Sequence, residues 1–399
     1  MDRLPLVLDA MTVRLEAFAS LDAVPADAEA LFAASSGLFA SPAWWRTVLS
    51  FGMPPRTHAC FLLARIDDRP VALLPLRQDD ASGTLGSLTT PYTCVYTPLV
   101  AADLPVATLV PVFAALARFC RGHAITRFDA LPEEWAALPA FEQGAREAGL
   151  SVVRFAHFGN WHETVDGMSW SGYLAARPGA LRETIRRKLR RADQRRDASL
   201  AVVTGPPGLE AGIDAFEHVY ARSWKQPEPF PLFNAALMRE TAAAGRLRLG
   251  LWHIGGVAVA AQFWIMEAGT ATVLKLAHDE AFHADSPGTV LTALMLRRFL
   301  DEEHIAAIDF GRGDDAYKQG WAKQRRQRIG VVLVDPHRPA GLVFLARHAL
   351  GRMRMSLRSR SMPVHVTRTQ RTRTETGAQQ AITLSPRACA RSGRANACC

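Results

Sequence analysis

Residues 59–77, ACFLLARIDDRPVALLPLR, consist of an apolar run, a polar break at Asp67–Arg69 and a second apolar run. That arrangement predicts a β-hairpin whose second strand is mostly buried. Residues 246–265, RLRLGLWHIGGVAVAAQFWI, repeat it, with Gly255-Gly256 as the break. The repetition continues in the same order. A Gly-Thr pair opens a further strand at Gly83-Thr84 and again at Gly269-Thr270. Long apolar helices are predicted at 106–120 and 289–303. Each leads into a strand ending in aspartate, Ile125–Asp129 and Ile305–Asp309, and a later strand recurs at 151–155 and 329–334. The copies stay about 180 residues apart, which marks an internal duplication.

Each half is then a hairpin, a third strand, a helix, a fourth strand and further elements. The fold class is α/β (α+β), with a mixed sheet and crossover helices in each half. The expected division is a first domain at 1–165, a second at 166–345 and a basic tail at 346–399. Residues 160–230 read as inter-domain material. Within them lies a basic helix, with Leu181, Ile185, Leu189 and Ala192 as its apolar stripe and arginines over the rest. The tail is rich in Arg, Thr and Ser and is expected to be disordered. It cannot bury enough apolar area to offset an ordering cost of roughly 1–2 kcal/mol per residue.

Charge changes the picture little. The net charge is +9, but residues 346–399 hold 11 Arg, no Lys and one Glu, so the remaining body is close to neutral. The six cysteines form no CxxC pair and suggest neither a disulfide framework nor a zinc site; no metal is expected. The N-terminal residues lack the pattern of a signal peptide. Residues 249–266 carry no charge, yet the central glycine pair makes two buried strands a better reading than a membrane span. A cytoplasmic protein is expected, with peripheral membrane contact through the basic tail as an option.

Residues 309–321, DFGRGDDAYKQGW, contain two familiar spellings. Asp309-Phe310-Gly311 spells a kinase motif, but no HRD, VAIK or APE accompanies it. Arg312-Gly313-Asp314 spells an adhesion motif that belongs to secreted proteins. No G-x-S-x-G elbow supports a serine hydrolase either.

Four stretches carry a family resemblance. TIRRKLRRADQR (184–195) resembles the basic segment that introduces a second domain, and Tyr220–Lys225 resembles a Y..SWK element. Residues 278–291 resemble a Ser-Pro-Gly turn before a helix, and 309–321 resemble a DFG-x-G…YK…W signature. Together with the duplicated order of hairpin, strand, helix and strand, they resemble the FemAB and CelD-like branch of the GNAT acyltransferases, whose members carry tandem GNAT folds. The resemblance implies acyl transfer from acetyl-CoA or a longer acyl-CoA to an amine acceptor, a small molecule or a glycan or peptide amine. FemAB relatives take aminoacyl groups from tRNA, which is the less favoured donor here. CelD-like relatives are associated with exopolysaccharide or cellulose production. A catalytically silent accessory module of polysaccharide assembly is the third reading.

The chemistry then assigns roles. Ser286, Pro287, Gly288 and Thr289 open a helix whose N-terminal N–H groups suit the phosphates of coenzyme A, with Ser286 as the N-cap. Asp309, Tyr317 and Lys318 are the catalytic candidates, Asp309 as base and Tyr317 as acid. A turn-capping role for Asp309 stands beside that one, because Asp129 ends the equivalent strand. His278 and Asp279 are further base candidates. Trp224, Lys225 and Lys275 are the substrate-binding candidates. Strand alternation puts Lys275, Ala277 and Asp279 on one face and Leu274, Leu276 and His278 on the other. Because Ile125–Asp129 continues without the glycines of 311 and 313, the active site is expected in the second half.

Overall fold

The computed structural model describes residues 12–34 and 37–360. The first half supplies β1 (Val13–Phe18), β2 (Thr57–Ile66), β3 (Arg69–Asp79), β4 (Thr84–Ser87), β5 (Leu99–Val100), β6 (Ile125–Pro132) and β7 (Ser151–Thr164). The second supplies β8 (Ala198–Val203), β9 (Leu247–Ile254), β10 (Val257–Glu267), β11 (Thr270–His278), β12 (Ala307–Asp309) and β13 (Gln324–Val334). The hairpins fall where the apolar runs put them. Gly255 and Gly256 have φ of +59° and +79°, and Asp67 and Asp68 have φ of +49° and +64°. Both turns thus need two left-handed residues, as tight two-residue hairpins do.

The strands form one sheet in the order β1-β2-β3-β4-β6-β13-β7-β12-β11-β10-β9-β8, with β5 paired to β3. Read from either end the order is the same. Three antiparallel pairings lead to one parallel pairing, β4 with β6 and β11 with β12. The centre is exchanged. β13, from the second half, lies against β6 of the first, and Thr164, Glu163 and His162 of β7 lie against β12 of the second. β7 and β13 pair with each other along 11 residue pairs. The expected boundary at 165 therefore falls directly after a strand that serves both halves, and the described residues up to Val343 belong to one compact unit.

The periodicity reading missed β1 and β8, which are short and only partly buried. Residues 160–230, read as a connection, hold the end of β7, β8 and the helices Trp170–Ala175, Gly179–Asp193 and Leu209–Ala221. The basic helix packs as its stripe predicts, with Ile185 and Ala192 buried and Leu181 and Leu189 packed against the core. The helix Pro339–Arg360 covers the first residues of the tail expected to be disordered. Its Ala, Leu, Met and Arg residues are strong helix formers. The rest of the tail, with the membrane contact considered for it, lies outside the described residues, as do residues 1–11. No helix among the described residues is long and apolar enough to cross a membrane.

Candidate active site

The parallel ladder of β11 and β12 is three pairs long: Thr270 with Ala307, Ala271 with Ile308, Thr272 with Asp309. Beyond it β12 stops and β11 runs on to His278 with no strand on that flank among the described residues. A wedge opens at the carboxyl ends of two parallel strands, the place where open α/β sheets bind ligands. Next to the wedge β11 carries a bulge. Val273 faces Trp264 and Lys275 faces Phe263 across the ladder, leaving Leu274 as the extra residue. The bulge corrects the expected alternation. Leu274, Lys275 and Leu276 all line the same cleft.

The loop after β12 forms the opposite wall. Asp309 is buried, and both its oxygens are used. Oδ1 accepts from Asn160 Nδ2 at 2.6 Å and Gly311 N at 2.7 Å, and Oδ2 accepts from Arg326 Nη2 at 2.6 Å. This is the bonding of a turn-capping carboxylate, the second of the two roles set out for it. Gly311 has φ of +60°, and a Cβ there would stand 2.3 Å from the Val273 carbonyl oxygen. Only glycine lets the loop come this close to the open strand. Lys318 is buried and its ammonium is fully satisfied. It donates to Arg312 O at 2.7 Å and Gly313 O at 3.2 Å, and pairs with Asp315 Oδ2 at 3.1 Å. It holds the loop from within.

The first half closes the cleft. Pro91, Tyr92 and Cys94 line a lobe of about 340 Å³ together with Lys275, Lys225 and Arg312. Lys275 faces this space, as a charged residue in an apolar strand should. Its Nζ stands 2.6 Å from Glu228 Oε1 and 4.6 Å from the centre of the Tyr92 ring. Burial pushes the Glu228 carboxyl up. Lys275 and the hydroxyls of Tyr220 and Tyr92 outweigh it and hold the group below the usual range. Lys225 has no such partner, and burial together with Lys275 pushes its ammonium down to about 8.

Of the remaining candidates, Trp224 is 48% exposed and lines the cleft; Trp321, the last residue of the 309–321 run, is buried in the core. Tyr317 is 43% exposed at the cleft rim. Asp279 is committed elsewhere, accepting from Ala281 N at 2.9 Å and pairing with Arg222 at 2.5 Å. The His278 ring lies 4.5 Å from Trp224, and a Cβ on Gly288 would stand 3.2 Å from its Nδ1. The cleft wall and the start of the helix Pro287–Asp301 thus meet through one imidazole.

Ser286 corrects the expected cap. It occupies the N-cap position in left-handed conformation, and its side chain makes no capping bond. Its carbonyl instead accepts from Thr289 N at 3.0 Å and Val290 N at 3.1 Å. Beside this helix start, Lys188, Arg191 and Arg195 line a hollow with Asp285 and Val290. Reading by motif missed Tyr92, Glu228 and Arg312. Arg312 was hidden inside the adhesion spelling, and Glu228 inside a proline-rich stretch with no motif.

The equivalent wedge in the first half is filled. After β4 and β6 part, Asp129 N donates to Ser87 Oγ at 3.0 Å and Tyr96 N donates to Ala130 O at 3.0 Å. The buried Tyr96 ring occupies the space against Phe128.

Residues 179–319 match the family model described as acetyltransferase (GNAT) domain. Over these residues the second half is similar to a GNAT acetyltransferase domain. The match takes in the open wedge and the loop after it, and the repeated strand order makes the first half a second copy of the same architecture. Among solved structures, the fold is similar to FemX, at a TM-score of 0.52 and 11% identity, covering 80% of this chain and 96% of that one. A tandem GNAT protein from the clavulanic acid biosynthesis pathway gives 0.47 and 14%, covering 80% and 98%. L-PGS from Bacillus licheniformis gives 0.45 and 14%, covering 71% and 86%. No curated protein matches the chain.

Proposed function

We propose that the chain is an N-acyltransferase that passes the acyl group of acetyl-CoA or a longer acyl-CoA to an amine. The observation that carries this reading is the wedge between β11 and β12, open on one flank and bulged at Leu274. An extended donor lies along the unpaired edge from Val273 to His278. Its phosphates fall near Gly288 and Thr289, with Lys188 and Arg191 close to the same helix start.

The donor supplies a thioester carbonyl that an amine attacks, so that a C–N bond forms as the C–S bond breaks. The protein has to take one proton from the amine and give one to the sulfur. Asp315 lines both lobes of the cleft and is exposed enough to take the first. Tyr317 lies on the same rim, and partial burial beside Asp315 keeps its hydroxyl protonated, as a donor to the sulfur requires. Lys318 and Asp309 shape the loop that carries both groups. Trp224, Lys225 and Lys275 wall the acceptor side. The resemblance to exopolysaccharide-associated relatives favours a glycan or peptide amine as acceptor.

Thiol release from acyl-CoAs of graded length, measured with an amine present, tests this. Tyr317→Phe should lower kcat by about 10²-fold or more with melting little changed, since the hydroxyl has no hydrogen-bond partner among the described residues to lose. No thermal stabilisation by any acyl-CoA, with binding of charged tRNA instead, would move the reading to aminoacyl transfer. Acyl transfer unaffected by both Tyr317→Phe and Asp315→Asn would remove the assigned site.

A further inference from the structure

Arg312 faces the cleft with almost nothing to bond to. Its Nη1 donates to Thr93 O at 3.2 Å, and its guanidinium lies 4.3 Å from the centre of the Phe158 ring. Its Nη2 stands 3.2 Å from Nε2 of His157, but this is not a hydrogen bond. The backbone N–H of Ala130 donates to His157 Nδ1 at 2.9 Å. A backbone N–H can only donate, so Nδ1 carries no proton and the ring proton sits on Nε2. Arg312 and His157 therefore meet donor to donor. No carboxylate among the described residues pairs with Arg312.

Lys225 repeats the pattern across the cavity. Its Nζ lies 5.7 Å from the Tyr220 ring centre and 5.8 Å from that of Trp224, and its ammonium has no hydrogen-bond acceptor among the described residues. Both cations line both lobes of the cleft. The two carboxylates there are already spoken for, Glu228 by Lys275 and Asp315 by Lys318. Asp315 and Glu228 act on Lys225 and Asp129 acts on Arg312 from a distance, but two half-buried cations with no carboxylate in contact are costly unless a ligand supplies one.

We propose that the cleft binds an oxyanion, a carboxylate or a phosphate, between Arg312 and Lys225, and that this oxyanion belongs to the acceptor. The substrate is then an amine that also carries a negative group. The assignment to the acceptor rests on the acyl-transfer reading above and on position. Arg312 stands at the Val273 end of the open strand, where Gly311 touches the Val273 carbonyl. The helix start proposed for the donor phosphates stands at the His278 end, five residues or roughly 17 Å away along an extended chain.

Thermal shift and calorimetry of the full chain with inorganic phosphate, and separately with coenzyme A, test the proposal. Phosphate should stabilise the wild type. Arg312→Met should weaken phosphate at least tenfold, Arg312→Lys should restore part of it, and coenzyme A affinity should stay within twofold. If Arg312→Met does not fold, Lys225→Met gives the same readouts from a side chain that makes no hydrogen bond. Phosphate that fails to bind the wild type, or binds both variants equally well, overturns the site. Loss of coenzyme A affinity in step with phosphate overturns its assignment to the acceptor. None of these readouts needs turnover, so a chain that binds phosphate here but transfers no acyl group would remove only the reaction.

Discussion

Asp309 Oδ2 and Arg326 Nη2 lie 2.6 Å apart, joining the end of β12 to the exchanged strand β13. The same carboxylate caps the turn at Gly311 and binds Asn160 of β7. One side chain thus fastens the mouth of the second half's wedge to both central strands. Asp309→Ala should cost about 2 kcal/mol, the loss of a largely buried pair discounted for the partial exposure of Arg326. Urea unfolding measures it. Asp309→Asn, which keeps an acceptor for Gly311 N, should cost less. If Asp309→Asn instead keeps full stability and loses all turnover, the residue is a base after all.

Gly311→Ala should be worse than Asp309→Asn. The left-handed backbone alone costs about 1–2 kcal/mol, and the new methyl meets a carbonyl oxygen that is part of a strand. The loop must move away from Val273 and narrow or distort the wedge. Loss of acyl-CoA binding, measured by calorimetry on whatever folded protein remains, is the expected result. A variant that binds as well as wild type would show that the loop is not a wall of the donor site.

Lys225 gives a pH signature. Its folded value is about 8 against 10.5 ordinarily. Between these values the unfolded chain holds more of this proton than the folded chain. The contribution to stability therefore falls as pH drops from 10.5 to 8, and the cost is complete below 8. Lys225→Met should be more stable than wild type at pH 7, with the difference shrinking as pH is raised toward 10. Paired urea titrations at pH 7 and 10 check the sign. A difference that grows with pH would mean Lys225 gains a favourable partner on folding.

The exchange of β7 and β13 predicts how the chain behaves when cut. Residues 12–165 and 166–343, made separately, should each be unfolded or aggregated. The first lacks the strand that covers β6, and the second lacks the strand that covers β12. Mixed during refolding, they should recover the circular dichroism of the whole. Two independently folded halves with sharp melting transitions would contradict this.

Much of the fold was legible because each half repeats the other. Hairpins, helices and the aspartate-ended strands could be checked against their copies, and each lies within a few residues of its expected place. β1 and β8 had no such support, since half-buried edge strands leave weak periodicity. The exchange was invisible for a different reason. Strand partners depend on which backbone edges meet, and β7 and β13 have the same apolar character whichever half they join. At the site, Tyr317, Lys318, Trp224, Lys225 and Lys275 were found by motif and by strand charge, and they do surround one cleft. Lys318 reads differently once its three bonds are counted. Arg312 could not be singled out, because a bare arginine is defined by the partners it lacks.

The order of synthesis gives the central exchange another meaning. β13 is the last of the described strands to leave the ribosome, yet it lies in the middle of the sheet, between β6 and β7. The first half must wait with the edge of β6 uncovered for roughly two hundred residues of further translation, at least ten seconds at ordinary elongation rates. Whatever shields that edge in the meantime decides how much of the chain reaches its native form.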